Sequence, residues 1–195
     1  MIVWTTQPAS ALEQLEASGV YRCDPGKSFN LTKPDSLKKP YRWLTERMRG
    51  KLGAPPEGVT SPIWAWHTWD FERRCPDPDS PAFLLRSEEK ALFTLDIPES
   101  ELVLTDFDAW QGVMMGAYVS GARTQAECDA EAERLDELEG EALDEAARAS
   151  WDNVFLTDPI RDGALVRGRY VQATFWEIKT GYIREVRRLP KNDEE

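Results

Sequence analysis

Three tryptophans fall inside one short run, Pro62-Ile63-Trp64-Ala65-Trp66-His67-Thr68-Trp69, and bulky side chains occupy both of its parities. A strand with one face in water alternates apolar and polar residues. The run therefore predicts a strand covered on both faces, or one whose second face lines a pocket. Either arrangement needs layers on two sides. With 195 residues the chain can supply them in one domain with a sizeable core. We expect a single globular domain over 1–190, with 191–195 as a frayed tail.

Local signals place the neighbouring elements. Ile2 to Thr6 is β-branched and reads as a first strand. Ser10-Ala-Leu-Glu13 has the form of a capping box with Ser10 as N-cap, and Gly19 suits the C′ stop of that helix. Val20 to Arg22 resumes extended chain, and Asp24-Pro25-Gly26 is a turn. Pro40 fits the first turn of a second helix carrying Tyr41, Leu44, Met48 and Leu52 on one face, stopped by Gly53. Arg74 to Pro81 reads as a surface loop, Ala91 to Asp96 and Leu102 to Leu104 as strands. Thr105 or Asp106 caps a helix with Trp110 and Val113 on its stripe. Asp106 and Asp108 as a metal pair are less well explained than Asp106 as that cap. Thr124-Gln-Ala-Glu127 opens an acidic helix whose later stripe is Leu143, Ala147, Trp151, Val154 and Phe155. The segment after Arg169 predicts two strands, Tyr170–Ile178 and Arg184–Leu189. The fold class is then α+β, with a bent, mostly antiparallel sheet and flanking helices.

Net charge is −11, which argues against wholesale binding to nucleic acid or to an anionic membrane. The charge is uneven. Residues 127–145 hold ten acidic side chains and one Arg, while 22–51 hold nine basic against three acidic and 161–191 eight against three. Solvated faces explain this simply. The sharper expectation is a basic groove for a phosphate-bearing ligand, with nucleic acid as an alternative occupant of segments 22–51 and 161–191. The acidic helix 127–145 is a candidate for docking a basic protein partner. The single His and three distant cysteines leave no metal spacing, so no metal is expected. With no leader-like start and no apolar run of spanning length, a cytoplasmic protein without membrane contact is expected.

The set Ile2-Val-Trp-Thr, Pro62-Ile-Trp-Ala-Trp, Leu95-Asp-Ile-Pro, Asp106-Phe-Asp-Ala-Trp110 and Gln172-Ala-Thr-Phe-Trp-Glu-Ile178 resembles one bacterial family, known as domain of unknown function 3841. The resemblance covers nearly the whole chain and implies no activity. More distantly, the order of elements is similar to the compact mono-ADP-ribosyltransferase fold. That likeness implies an NAD-handling protein. Glu177 on the late strand would be the catalytic carboxylate. Thr5 would stand in the first-strand motif, where those enzymes carry His or Arg. Tyr21, or the Trp-rich strand with Trp64, Trp66 and His67, would supply the aromatic wall; Arg22, or else Arg73 or Arg74, would hold the pyrophosphate, and Gln172 would line the same pocket. A carboxylate beside the ribose stabilises the oxocarbenium-like charge that develops as the nicotinamide bond breaks. Gln172 and Glu177 have opposite parity, so they share a pocket only across a bulge. Each residue also has a plainer reading. Glu177 could be a strand carboxylate paired with an Arg, His67 a packing residue, and the tryptophans core. The rival functions are a non-catalytic nucleotide or nucleic-acid binder and an acidic regulatory interaction protein.

Overall fold

A computed structural model describes residues 1–24, 26, 35–79 and 88–191. In chain order they form β1 (Ile2–Pro8), α1 (Ser10–Ser18), β2 (Val20–Arg22), α2 (Asp35–Leu52), β3 (Ile63–Trp69), β4 (Lys90–Asp96), β5 (Val103–Asp106), α3 (Phe107–Met114), α4 (Gln125–Asp136), α5 (Gly140–Ser150), β6 (Ile160–Asp162), β7 (Leu165–Arg167), β8 (Tyr170–Phe175), β9 (Glu177–Lys179) and β10 (Ile183–Leu189). Six strands make one sheet in the order β10-β4-β1-β3-β8-β5, and every neighbouring pair is antiparallel. β2 pairs with β9, and β6 with β7, as separate two-stranded ribbons. The architecture is α+β in one domain.

The Trp-rich strand β3 lies inside this sheet, between β1 and β8, and its two faces serve two cores. Ile63 and Ala65 join Val3, Phe93, Leu95, Ala173 and Phe175 on one face, under α1 (Ala11, Leu15) and the β2–β9 ribbon (Tyr21, Ile178). On the other face Trp64 packs against Tyr41, Leu44 and Met48 of α2, Trp110 and Val113 of α3, and Trp151 and Val154. This is why bulky residues occur at both parities. Each fully buried Leu, Ile, Val or Phe in these clusters contributes about 1.5–3 kcal/mol through area removed from water. Trp66 and Trp69 stay half-buried.

Several local expectations are corrected. Ala9, already helical (φ −57, ψ −28), occupies the N-cap of α1 and makes no side-chain cap bond, so Ser10 is the first helical residue rather than the cap. α2 begins at Asp35, which leaves Pro40 inside the helix instead of in its first turn. The acidic helix is two helices, because the chain breaks after Asp136 and Gly140 takes φ +54. Leu143 is exposed and leaves the apolar stripe, whereas Ala147, Trp151 and Val154 are buried. The strand expected over Tyr170–Ile178 divides at Trp176, and its two halves join different sheets. Other expectations agree. Gly19 closes α1 with φ +75. Asp106 caps α3 by accepting from the Ala109 N–H, and Thr124 caps α4 by accepting from the Glu127 N–H. Asp24 Oδ1 accepts from Gly26 N at 2.9 Å, although Pro25 of that turn lies outside the described residues. So do residues 27–34 of the first basic segment, 80–81 of the predicted loop and 192–195 of the predicted tail.

Candidate functional site

Pairing within the sheet is weakest at its centre. β1 registers with β3 at one pair, Trp4↔Trp66, whereas β1 registers with β4 at seven consecutive pairs from Ile2↔Asp96 to Pro8↔Lys90. Past that single pair β1 and β3 part. A cavity of about 330 Å³ opens at the end where β1 finishes and β3 and β4 begin. β1 gives it Gln7, β2 Tyr21, α2 Tyr41 and β3 Trp64. Among the described residues Asp24, Glu88 and Lys90 carry its charge. This volume lies within the range of small-molecule sites, roughly 300–1,000 Å³.

A chain of hydrogen bonds stitches the parted strands together. The Thr5 hydroxyl donates to Trp64 O at 2.7 Å. Gln7 Nε2 donates to Thr5 Oγ1 at 2.7 Å, and the Tyr21 hydroxyl donates to Gln7 Oε1 at 3.1 Å. The direction of the whole chain follows from its last acceptor. A carbonyl can only accept, so Thr5 must donate to it and must accept from the amide nitrogen, which turns Oε1 toward the phenol. Burial first, then the nearby Cys23, Asp24 and Glu88, pushes the Tyr21 phenol up to about 12, so it keeps the proton this bond needs. Tyr41 and Trp64 meet edge to face, ring centroids 6.1 Å apart.

Thr5, Tyr21 and Trp64 thus converge at one cleft, with Thr5 buried beneath its wall. Glu177 and Arg22 do not join them. In the β2–β9 ribbon Tyr21 registers with Ile178, and Arg22 with Glu177. Directly opposed residues share a face, and successive residues alternate. Tyr21 and Arg22 therefore leave β2 on opposite sides. Arg22 Nε pairs with Glu177 Oε2 at 3.1 Å. Glu177 lines a smaller hollow of about 130 Å³ with Trp176, Glu101, Lys179 and Tyr182. There Lys179 Nζ lies 2.7 Å from Glu101 Oε2, and the Tyr182 hydroxyl donates to the same oxygen. The hydrogen bonds from Lys179 and Tyr182 hold the Glu101 carboxyl below its usual range. That hollow is under the size of a nucleotide site, and its charged groups are engaged with one another.

The other sequence candidates lie elsewhere. Trp66 packs against Trp69 and Phe107 at centroid distances of 4.8 and 5.3 Å. His67 is buried, with Nδ1 2.9 Å from Thr68 Oγ1. Its pKa is lowered to about 4, by burial first and then by Arg73 and the amino terminus. A neutral imidazole packed in this way matches the plainer reading of His67. Gln172 registers with Trp66 and Thr105 in the sheet, and the break at Trp176, rather than a bulge, separates it from Glu177. Asp106 is fully used by structure: Oδ1 accepts from Ala109 N at 2.9 Å and Oδ2 from Gly168 N at 2.7 Å. Among the described residues no group of three or more His, Cys, Asp or Glu could hold a metal ion, and no helix is long and apolar enough to cross a membrane. The β10 arginines each face a carboxylate, Arg184 with Asp96 at 2.6 Å, Arg187 with Asp79 at 3.0 Å and Arg188 with Glu89 at 3.3 Å. Such pairing lowers what they can offer to a nucleic-acid backbone. The acidic helix α4 buries no residue.

Three residues of the cleft carry no signal in the sequence. Gln7, Tyr41 and Lys90 meet only because β1, α2 and β4 converge. Tyr41 reads simply as a core position of its helix, and Gln7 and Lys90 fall at strand ends. The chain matches the family model described as Domain of unknown function (DUF3841) over residues 2–184, and it belongs to that family. No curated protein and no solved structure matches it significantly.

Proposed function

We propose that this DUF3841 chain binds a nucleotide of the NAD class, with the ring end seated in the cleft where β1 and β3 part. The observation that carries this reading is the cleft itself: about 330 Å³, bounded by Tyr21, Tyr41 and Trp64, with two carboxylates, Asp24 and Glu88, against one ammonium, Lys90, among the described residues. Aromatic faces and an excess of carboxylate favour a planar cation, and the pyridinium of oxidised NAD is one. Lys90 Nζ is already 2.5 Å from Glu88 Oε1, so the pyrophosphate would extend outward from the cleft rather than into it. The likeness to ADP-ribosyltransferases supports the same ligand, as analogy of element order only. Transfer chemistry through Glu177 gains no support from its position, because that carboxylate lines the other hollow beside Arg22.

Titration calorimetry and thermal unfolding with NAD test this directly. Ligand at about 100 times its Kd should stabilise the chain by about 2.7 kcal/mol, which raises Tm by roughly 5–10 °C for a chain of this size. Tyr41→Ala should remove most of that rise. Absence of any heat or shift at millimolar NAD would end the proposal.

A further inference from the structure

We infer that Gln7 is the specificity-determining residue of this cleft, selecting a ring whose edge offers one N–H donor beside one acceptor, as a carboxamide does. The inference rests on the nucleotide reading above and names the group recognised.

A primary carboxamide has two N–H donors and two acceptor positions on its oxygen. In Gln7 one donor goes to Thr5 Oγ1 and one acceptor position to the Tyr21 hydroxyl. One donor and one acceptor remain on a side chain that lines the cleft. An amide usually can exchange its nitrogen and oxygen by a half-turn, and so can present either pattern. Gln7 cannot do so freely. A half-turn would set its carbonyl oxygen against Thr5 Oγ1, whose proton is committed to Trp64 O at 2.7 Å. Two acceptors would then face each other without a proton between them. The Trp64 carbonyl therefore fixes which end of Gln7 donates and which accepts, two hydrogen bonds away.

A ligand amide matches the remaining pair by accepting from Nε2–H and donating to Oε1. A carboxylate at the same ring position has two acceptors and no donor. It would leave Oε1 facing a negative oxygen, and a site built to pair a donor rejects the analogue lacking it. Paired donor–acceptor readings by Gln are worth about tenfold to a hundredfold in discrimination. Adenine presents the same chemistry, an N–H beside a ring nitrogen, so a nucleotide could be read from either of its ends.

Calorimetry with nicotinamide mononucleotide, nicotinic acid mononucleotide and adenosine on four proteins tests this. The wild type should bind the amide at least about tenfold tighter than the acid. Gln7→Leu should bring that ratio close to one. Thr5→Val, which leaves Gln7 in place but releases its orientation, should also reduce the ratio, and Thr5→Ser should restore it, a pattern that simple loss of packing would not give. If adenosine binds best and loses affinity in Gln7→Leu, Gln7 is still the reader and the adenine edge is the group read. An amide-to-acid ratio unchanged by Gln7→Leu, with binding retained, overturns the inference and leaves the nucleotide reading standing. Failure of all three ligands to bind the wild type overturns both.

Discussion

Tyr21 and Arg22 are neighbours on a three-residue strand, yet Tyr21 lines one hollow and Arg22 pairs with a carboxylate that lines another. On the Tyr21 side the hydrogen-bond chain from Tyr21 through Gln7 and Thr5 to Trp64 O is uncharged, runs in one direction and leaves a donor and an acceptor to spare on Gln7, beside the Lys90–Glu88 ion pair. On the Arg22 side the groups are charged and close on one another: Arg22 with Glu177, and Lys179 and Tyr182 with Glu101. The first hollow is about 330 Å³ and the second about 130 Å³. The contrast shows that a carboxylate in a hollow is a weak sign of chemistry when a cation already satisfies it. Oriented polar groups with valences left over are the better sign of a ligand.

The largest test of the contrast strikes what the two regions share. Ile178 is wholly buried on β9, opposite Tyr21. Ile178→Ala should cost about 2–5 kcal/mol in denaturant unfolding and weaken nucleotide binding as well. If stability falls while affinity is unchanged, the β2–β9 ribbon does not shape the cleft and the comparison breaks.

A smaller effect separates the two by pH. Tyr21 holds its phenol proton up to about 12 against an ordinary value of 10.0. A pKa raised in the folded state contributes stability that is complete below pH 10 and is lost as pH rises toward 12, on the order of 2 kcal/mol across that window. Tyr21→Phe should flatten this alkaline decline, at a cost of about 1 kcal/mol near neutrality for the lost bond to Gln7. Unfolding curves at stepped pH give the slope. An unaltered slope would mean the phenol is not held by the cleft.

The smallest expected effect is the most discriminating. Glu177→Gln removes one charge from a pair whose Arg is 47% exposed, so stability should change by less than about 1 kcal/mol. Nucleotide affinity should stay within about twofold, because the cleft lies on the other side of β2. A large loss of affinity, or loss of a measured transfer reaction, would return Glu177 to the centre of the site.

Much of the secondary structure was legible because it obeys local rules. Mixed parity in 62–69 announced a strand inside the sheet, and Gly19, Asp106 and Thr124 announced helix ends through their φ value or their cap bonds. Local rules failed where a tertiary contact outweighed them. Ser10-Ala-Leu-Glu13 has a capping sequence, but Ala9 is drawn into the helix while its N–H bonds to Glu89 O at 3.0 Å. Tyr170 to Ile178 reads as one strand because nothing in composition marks Trp176 as the point where the chain leaves one sheet for another. That break, invisible in the residue pattern, moved Glu177 away from Gln172 and from the tryptophans. Of the sequence candidates for one site, Thr5, Tyr21 and Trp64 came together and the rest did not.

The amino-acid order alone decided which residues could be strand, which helix, and which side chains must be buried, since periodicity and capping act over a few residues at a time. It also named Trp64 and Tyr21, which border the cleft. Only the tertiary structure decided that β1 and β3 part after one registered pair, that Gln7 stands in the gap with its amide fixed, and that Arg22 meets Glu177. Those are consequences of pairing between segments up to 155 residues apart, and strand pairing at such range is set by how whole faces pack, not by any local preference.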